Sequence, residues 1–243
     1  MARSFGGTSS DTIAVTGVAA SAAITLSIWF KVSNTTPTYT AFMSFNFNGN
    51  SNLFDGIYVK STGKMAYYVY NSGAGGFLDP GSATITTGVW NHAALTYDST
   101  NGLSTYLNGV SDGTVVANGA GSTGMNEIDI GGDINNATTR IPTGSLADAA
   151  WWNIALTSFE ISALAAGARP YTIRPASLLG WWPLDGIQSP EPDLSGFAHN
   201  GTVTGTALAF GPPFMPFTPR WPMGGILPIT VPPTFVLMPQ IVM

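Results

Sequence analysis

Gly88-Val89-Trp90-Asn91-His92-Ala93-Ala94-Leu95-Thr96-Tyr97-Asp98, followed four residues later by Leu103-Ser104-Thr105-Tyr106-Leu107-Asn108-Gly109-Val110, is the stretch that decides the fold. Ala93, Leu95 and Tyr97 recur with a period of two, and so do Leu103, Thr105 and Leu107, which is the spacing of strands with one buried face. Asn101-Gly102 and Asn108-Gly109 are hairpin signals, because both residues of such pairs tolerate the positive φ that a tight turn demands. The same period runs outward along the chain. Ile24, Leu26, Ile28, Phe30 and Val32 alternate with Thr25, Ser27, Trp29, Lys31 and Ser33, and Met65, Tyr67 and Val69 alternate with Ala66, Tyr68 and Tyr70. Asn48-Gly49-Asn50, Thr62-Gly63, Asp79-Pro80-Gly81 and Asp112-Gly113 punctuate these runs. Many short strands, evenly spaced, predict an all-β, antiparallel two-sheet jelly-roll sandwich, with one face of each strand in the core and the other wet. One helix is expected, where Thr157 and Glu160 form a capping-box pair ahead of Ile161, Leu164 and Ala165, and Gly167 ends it.

The chain has 243 residues, with 8 Lys plus Arg against 13 Asp plus Glu and a formal charge of −5. Charged residues make up only 9%, far below the ~25% usual in soluble proteins. So few basic residues leave no electrostatic footprint for nucleic acid or an anionic membrane. The absence of cysteine excludes disulfides, thiolate metal sites and thiol nucleophiles. The apolar window from Thr12 to Phe30 is broken by Gly17 and by hydroxyl residues, and Asp11 precedes it where a leader would be cationic, so neither a membrane span nor a signal peptide is expected. The fold is expected to begin at the first residue. Composition changes at Gly211: residues 211–243 hold nine prolines and four methionines, with Arg220 as the sole charge. Proline on that scale forbids a helix or a central strand and predicts an extended arm. The expected organisation is a sandwich over 1–210 and an apolar arm over 211–243, with Phe214, Phe217, Trp221, Ile226, Leu227, Phe235 and Leu237 available to dock on a partner.

The Gly88–Val110 stretch resembles the laminin-G/pentraxin-like group of concanavalin A-like jelly rolls, whose members show a G-x-W-x-H-x-A-x-T-Y strand, a hairpin, then an L-Y-x-N-G-V strand. Phe5-Gly6-Gly7-Thr8-Ser9-Ser10-Asp11, Ile130-Gly131-Gly132, and Gly144-Ser145-Leu146-Ala147-Asp148 running into Trp152-Asn153-Ile154-Ala155-Leu156-Thr157 extend the likeness over roughly residues 1–170. A second block, Gly180-Trp181-Trp182-Pro183-Leu184-Asp185 with Asp193-Leu194-Ser195-Gly196 and Asn200-Gly201-Thr202-Val203, looks like the segment that opens bacterial members. Here it follows the core, which reads as a permuted jelly roll, since termini of a domain often lie close together. Phe197-Ala198 replaces the Asn-Gly pair common in the family at that turn.

Glu127-Ile128-Asp129-Ile130 invites a glucanase reading, because bacterial β-glucanases on a related jelly roll carry Glu-Ile-Asp-Ile and then a second Glu. A retaining glycosidase needs two carboxyls about 5 Å apart. Alternation puts residue 131 on the face of Glu127 and Asp129, and residue 131 is glycine, so no enzyme is expected. His92 and His199, the two imidazoles, read as structural. Ser72-Gly73-Ala74-Gly75-Gly76 lacks the strand-to-helix setting of a phosphate cradle. The resemblance implies calcium as a cofactor, at Asp133, Asn135 and Asn136 after the Gly-Gly strand end. The same residues also serve as ordinary turn formers. Trp29, Tyr68 and Tyr70, on the wet faces of their strands, are candidates to stack on a glycan, against the alternative of cross-strand packing.

Two functional classes remain. One is a non-catalytic virion structural or decoration protein, docking through its C-terminal arm on a capsid shell or on its own copies. The other is a secreted or surface lectin-like module. The apolar arm and the missing leader favour the first, with a virion or extracellular location.

Overall fold

Asn108 and Gly109 take φ of 52° and 78°, so the turn closes Leu107 onto Val110 as the Asn-Gly pair predicts. The computed structural model describes residues 1–8, 11–35, 37–47, 54–71, 76–79, 81–115, 124–133, 140–186 and 188–213. Within these, two antiparallel sheets face each other. The first contains β1 (Ala2–Gly6), β3 (Ile24–Val32), β8 (Asn91–Asp98), β9 (Gly102–Leu107), β10 (Val110–Val115), β12 (Thr143–Trp152), β13 (Leu178–Trp182) and β15 (Ala207–Ala209). Its order is β10-β9-β8-β3-β12-β1-β15, and β13 also pairs with β12. The second contains β2 (Thr12–Thr16), β4 (Tyr39–Asn46), β5 (Phe54–Lys60), β6 (Met65–Asn71), β7 (Gly76–Leu78), β11 (Glu127–Ile130) and β14 (Thr202–Thr204), in the order β14-β2-β11-β4-β5-β6-β7.

The alternating residues meet between the sheets. Ile24, Leu26, Ile28, Phe30 and Val32 from β3 share one buried cluster with Phe45 from β4, Tyr67 from β6 and Ile128 from β11. Phe30 stacks on Phe42 at 4.1 Å, and Phe45 meets Trp151 edge-on at 5.1 Å. Burying each large side chain contributes roughly 1.5 to 3 kcal/mol, so this double layer is the main source of stability.

The outer face of the first sheet departs from the expected pattern, because Thr25, Ser27 and Trp29 are all buried. A second layer covers them. Helix α1 (Ser158–Ala165) starts at Thr157, whose side chain accepts from Glu160 N while the Glu160 carboxylate accepts from the cap backbone, and ends before Gly167 at φ 98°. Its Ile161 and Leu164 pack with Trp152, Leu178 and Trp181 over that face. The segment entering the helix is pinned there, since Thr25 Oγ1 donates to Ile154 O at 2.6 Å and accepts from Leu156 N at 2.9 Å. Period two identifies the face that points outward, whereas the cover over Thr25 comes from Ile154 and Leu156, more than a hundred positions away, and that over Trp29 from Ala2, Trp90 and Ala147.

The Gly180–Asp185 block joins the same framework. β1 pairs with the first half of β12 and β13 with the second half, on the same edge. Asp148, at the irregularity in β12, accepts from Trp181 Nε1 at 2.7 Å and pairs with Arg169 at 3.2 Å. A buried ion pair, Arg3–Glu191 at 2.8 Å, ties the first strand to the late block, and the other carboxylate oxygen of Glu191 accepts from Leu184 N at 2.9 Å. Among the described residues, no helix is long and apolar enough to cross a membrane.

Candidate functional site

The outer face of the second sheet collects polar and aromatic side chains. Ile128 and Ile130 of β11 point to the core, so Glu127 and Asp129 point away from it. Opposite them on β4 stand Asn46 and Ser44. Asn46 Nδ2 donates to Asp129 Oδ2 at 2.9 Å and to Ser44 Oγ at 3.0 Å, and Ser44 Oγ donates to Gly132 O at 3.1 Å. The ladder between β4 and β5 shifts between Ala41 and Met43. Beyond the shift, Tyr39 and Ala41 come to lie beside Tyr58 of β5 and Ala66 and Tyr68 of β6 in a small cluster of their own.

Tyr39, Tyr68 and the Arg140 guanidinium form the half-buried rim of this cluster, with Tyr58 fully buried beneath them. Tyr68 meets Tyr39 edge-on at 5.9 Å and Tyr58 at 5.4 Å. The Arg140 guanidinium lies over the Tyr39 ring at 5.6 Å, and its Nη1 donates to Asp133 Oδ2 at 2.6 Å. Asp133 is buried and also takes a long 3.5 Å contact from the Tyr58 hydroxyl. Burial pushes the Tyr58 phenol well above its usual range; the Asp133 charge acts in the same direction and Arg140 opposes it. Tyr68 is raised too, by burial first and then by its hydrogen bond with Tyr39. Both phenols therefore stay protonated at neutral pH and can donate.

Of the residues expected to bind a glycan, Tyr68 belongs to this rim. Tyr70 lies in β6 with its side chain outside the described residues. Trp29 does not belong: it sits on the other sheet with only 5% of its surface exposed, packed with Ala2 and Ala147 and 5.1 Å from the His92 ring. An exposed platform combining Trp29 with Tyr68 is therefore ruled out by the separation of the sheets. Asn135, Asn136, and Phe214, Phe217, Trp221, Ile226, Leu227, Phe235 and Leu237 lie outside the described residues.

Of the expected calcium ligands, Asp133 lies within the described residues, and Asn135 and Asn136 lie outside them. The Arg140 guanidinium already sits on the Asp133 carboxylate and supplies the positive charge an ion would bring. Among the described residues, no group of three or more His, Asp or Glu is placed to hold a metal. The glucanase arrangement fails more firmly than alternation alone suggested. Gly131 has φ 83°, and a Cβ there would stand 2.1 Å from the Phe5 ring, so position 131 points toward the core and has no room for a catalytic side chain. His92 is buried against Ser27 Oγ at 2.8 Å, and His199 Nδ1 lies 2.9 Å from Leu179 O; both hold structure. Tyr39, Tyr58 and Arg140 were not foreseen as a site. The available signal was that Arg140 is the one basic residue between Lys64 and Arg169.

The folded chain is similar to a heptameric SAP-like pentraxin from Limulus polyphemus, at 23% identity and TM-score 0.55 over 70% of this chain and 84% of that one. It is also similar to a protein from Bacteroides ovatus described as a candidate carbohydrate binding protein, at 19% identity and TM-score 0.61 over 86% of this chain; the match spans 59% of that longer protein. These likenesses show the fold. No curated protein sequence matches the chain. Residues 5–162 match the laminin-G-type family model described as the concanavalin A-like lectin/glucanases superfamily, and the chain belongs to that superfamily.

Proposed function

We propose that this protein is a non-catalytic carbohydrate-binding module whose ligand rests on the outer face of the second sheet, against Tyr39, Tyr68 and Arg140. The observation that carries the reading is the rim itself, a pair of half-buried tyrosines with a guanidinium lying over one ring. Sugars offer apolar CH faces that stack on aromatic rings and hydroxyls that pair with phenols, guanidinium and carboxylates. The superfamily contains lectins as well as glucanases, and the Bacteroides ovatus neighbour is described as carbohydrate-binding. Gly131 supports binding without hydrolysis. Screening the intact chain on an immobilised oligosaccharide panel tests the reading. Saturable binding that Tyr68→Ala abolishes while the melting curve is kept supports it; binding unchanged by both Tyr39→Ala and Tyr68→Ala overturns it.

A second reading, docking on a capsid shell or other large assembly through residues 211–243, has one observation of its own. Phe210 is 91% exposed and Leu208 of edge strand β15 is half exposed, so apolar surface leads directly into that segment. It predicts co-sedimentation with particles, lost on truncation after Phe210.

A further inference from the structure

We propose that residues 213–222 dock as a polyproline strap on the outer layer of the first sheet of their own molecule, against Tyr171 where it rests on Trp181. The sequence of the strap carries its own periodicity. Pro213, Pro216, Pro219 and Pro222 recur every third residue. Polyproline II has three residues per turn, so four prolines at that spacing line one face. The form has no internal hydrogen bonds, and its carbonyl oxygens are left to accept from outside. Surfaces that take such segments offer aromatic rings for the proline face. Prolines also restrict the free chain, so less entropy is lost when it docks.

The complementary surface stands beside the point where the strap leaves the sandwich. Gly211 follows edge strand β15 and lies against the first residue, since a Cβ on it would stand 2.5 Å from Met1 O. Pro212 is already buried. Burial raises the Asp148 carboxyl, and Arg169, Trp181 and the Met1 ammonium oppose that rise, which puts Met1 within electrostatic reach of Asp148. Asp148 in turn accepts from Trp181 Nε1 at 2.7 Å and from Arg169 Nη1 at 3.2 Å. Tyr171, in the short 3-10 turn Pro170–Thr172, meets the buried Trp181 ring at 5.4 Å and keeps 53% of its surface exposed. At ~3.1 Å per residue the strap spans about 30 Å, so Tyr171 is within its reach.

The chemistry around Tyr171 suits an uncharged segment rich in acceptors. Arg169 makes its one hydrogen bond through Nη1, and neither its other N–H groups nor the Tyr171 hydroxyl has a partner among the described residues. These donors match the free carbonyl oxygens of polyproline II. Asp148 already offsets the Arg169 charge, so a neutral strap covers the pair without stranding an ion. The Tyr39–Tyr68 pair lies on the outer face of the other sheet. An exit next to Trp181 makes the segment of the same chain the nearest occupant, at an effective concentration on the order of millimolar.

Trypsin tests the strap in the intact chain. Arg220 is the sole lysine or arginine after Arg174, and it lies inside the strap; Arg169 and Arg174 each precede proline, where trypsin does not cut. Cutting at Arg220, followed by mass, reads the undocked population, and cutting at exposed Lys64 reads the sandwich. Tyr171→Ala should speed cutting at Arg220 about fivefold, the size of one lost aromatic contact, with Lys64 cutting and the melting temperature unchanged. Tyr171→Phe, which keeps the ring, should retain most of the protection. Equal cutting at Arg220 in the wild type and Tyr171→Ala overturns the inference. Faster cutting in Tyr68→Ala instead would put the segment on the other sheet, and protection that fades on dilution would make the occupant a second copy; either result overturns it as well.

Discussion

His92 gives the protein an acid-sensitive point in its framework. Its ring is buried beside Ser27 and Trp29, and burial pushes its pKa from 6.5 down to about 3. The unfolded chain takes up this proton near pH 6.5 and the folded chain does not until about pH 3. Between those values the unfolded state binds more protons, so stability falls as pH drops below 6.5. Each pH unit costs about 1.4 kcal/mol, which reaches roughly 2.7 kcal/mol two units below the unfolded value. Other groups titrate over the same range. Asp148 and Glu191, raised by burial, add stability as pH falls; Asp98 and Glu160, lowered mainly by hydrogen bonds, lose it. Comparison with His92→Gln cancels those contributions. Urea unfolding of both proteins near neutral pH and two units below 6.5 should show the wild type losing about 2.7 kcal/mol more than the variant. Equal losses in the two proteins would refute the buried, neutral imidazole.

Arg3→Met should cost about 3 to 5 kcal/mol, because it strands the Glu191 carboxylate in a buried setting, and Arg3→Met with Glu191→Leu should recover most of that loss; urea midpoints check both, and an additive double variant contradicts it. Melting temperature should be the same with calcium as with chelator, given that Arg140 occupies Asp133; a calcium-dependent rise abolished by Asp133→Ala would restore the cation site. Truncation after Phe210 should leave the melting of the sandwich unchanged if the removed segment, residues 211–243, serves a partner, whereas aggregation or early melting of the shortened chain would make that segment part of its own core.

Much of the framework was legible because the core rows of β3, β6, β8 and β9 alternate strictly and their turns carry Asn-Gly or Gly. The capping box at Thr157–Glu160 was equally local. What escaped the sequence was set by residues distant along the chain. Trp29 reads as a wet-face residue, yet Ala2, Ala147 and Trp90 close over it from three other segments. Tyr39 is hidden because every residue after it in β4 is buried and the ladder shifts between Ala41 and Met43, which destroys the period that would assign its face. Arg140 precedes its strand and acquires meaning only from Asp133 and Tyr39, neither of which is its neighbour in any periodic pattern. Alternation also failed at Gly131, where a left-handed backbone turns the side-chain direction toward Phe5.

Backbone amide shifts recorded while titrating the tightest oligosaccharide from the panel locate the sugar on the protein. A sugar seated at the tyrosine rim on the outer face of the second sheet gives saturable changes centred on Tyr39, Ala41, Tyr58, Ala66, Tyr68 and Arg140, with β3, β8 and α1 unmoved. Changes centred instead on α1 or on the Trp29–His92 side of the first sheet would refute that placement.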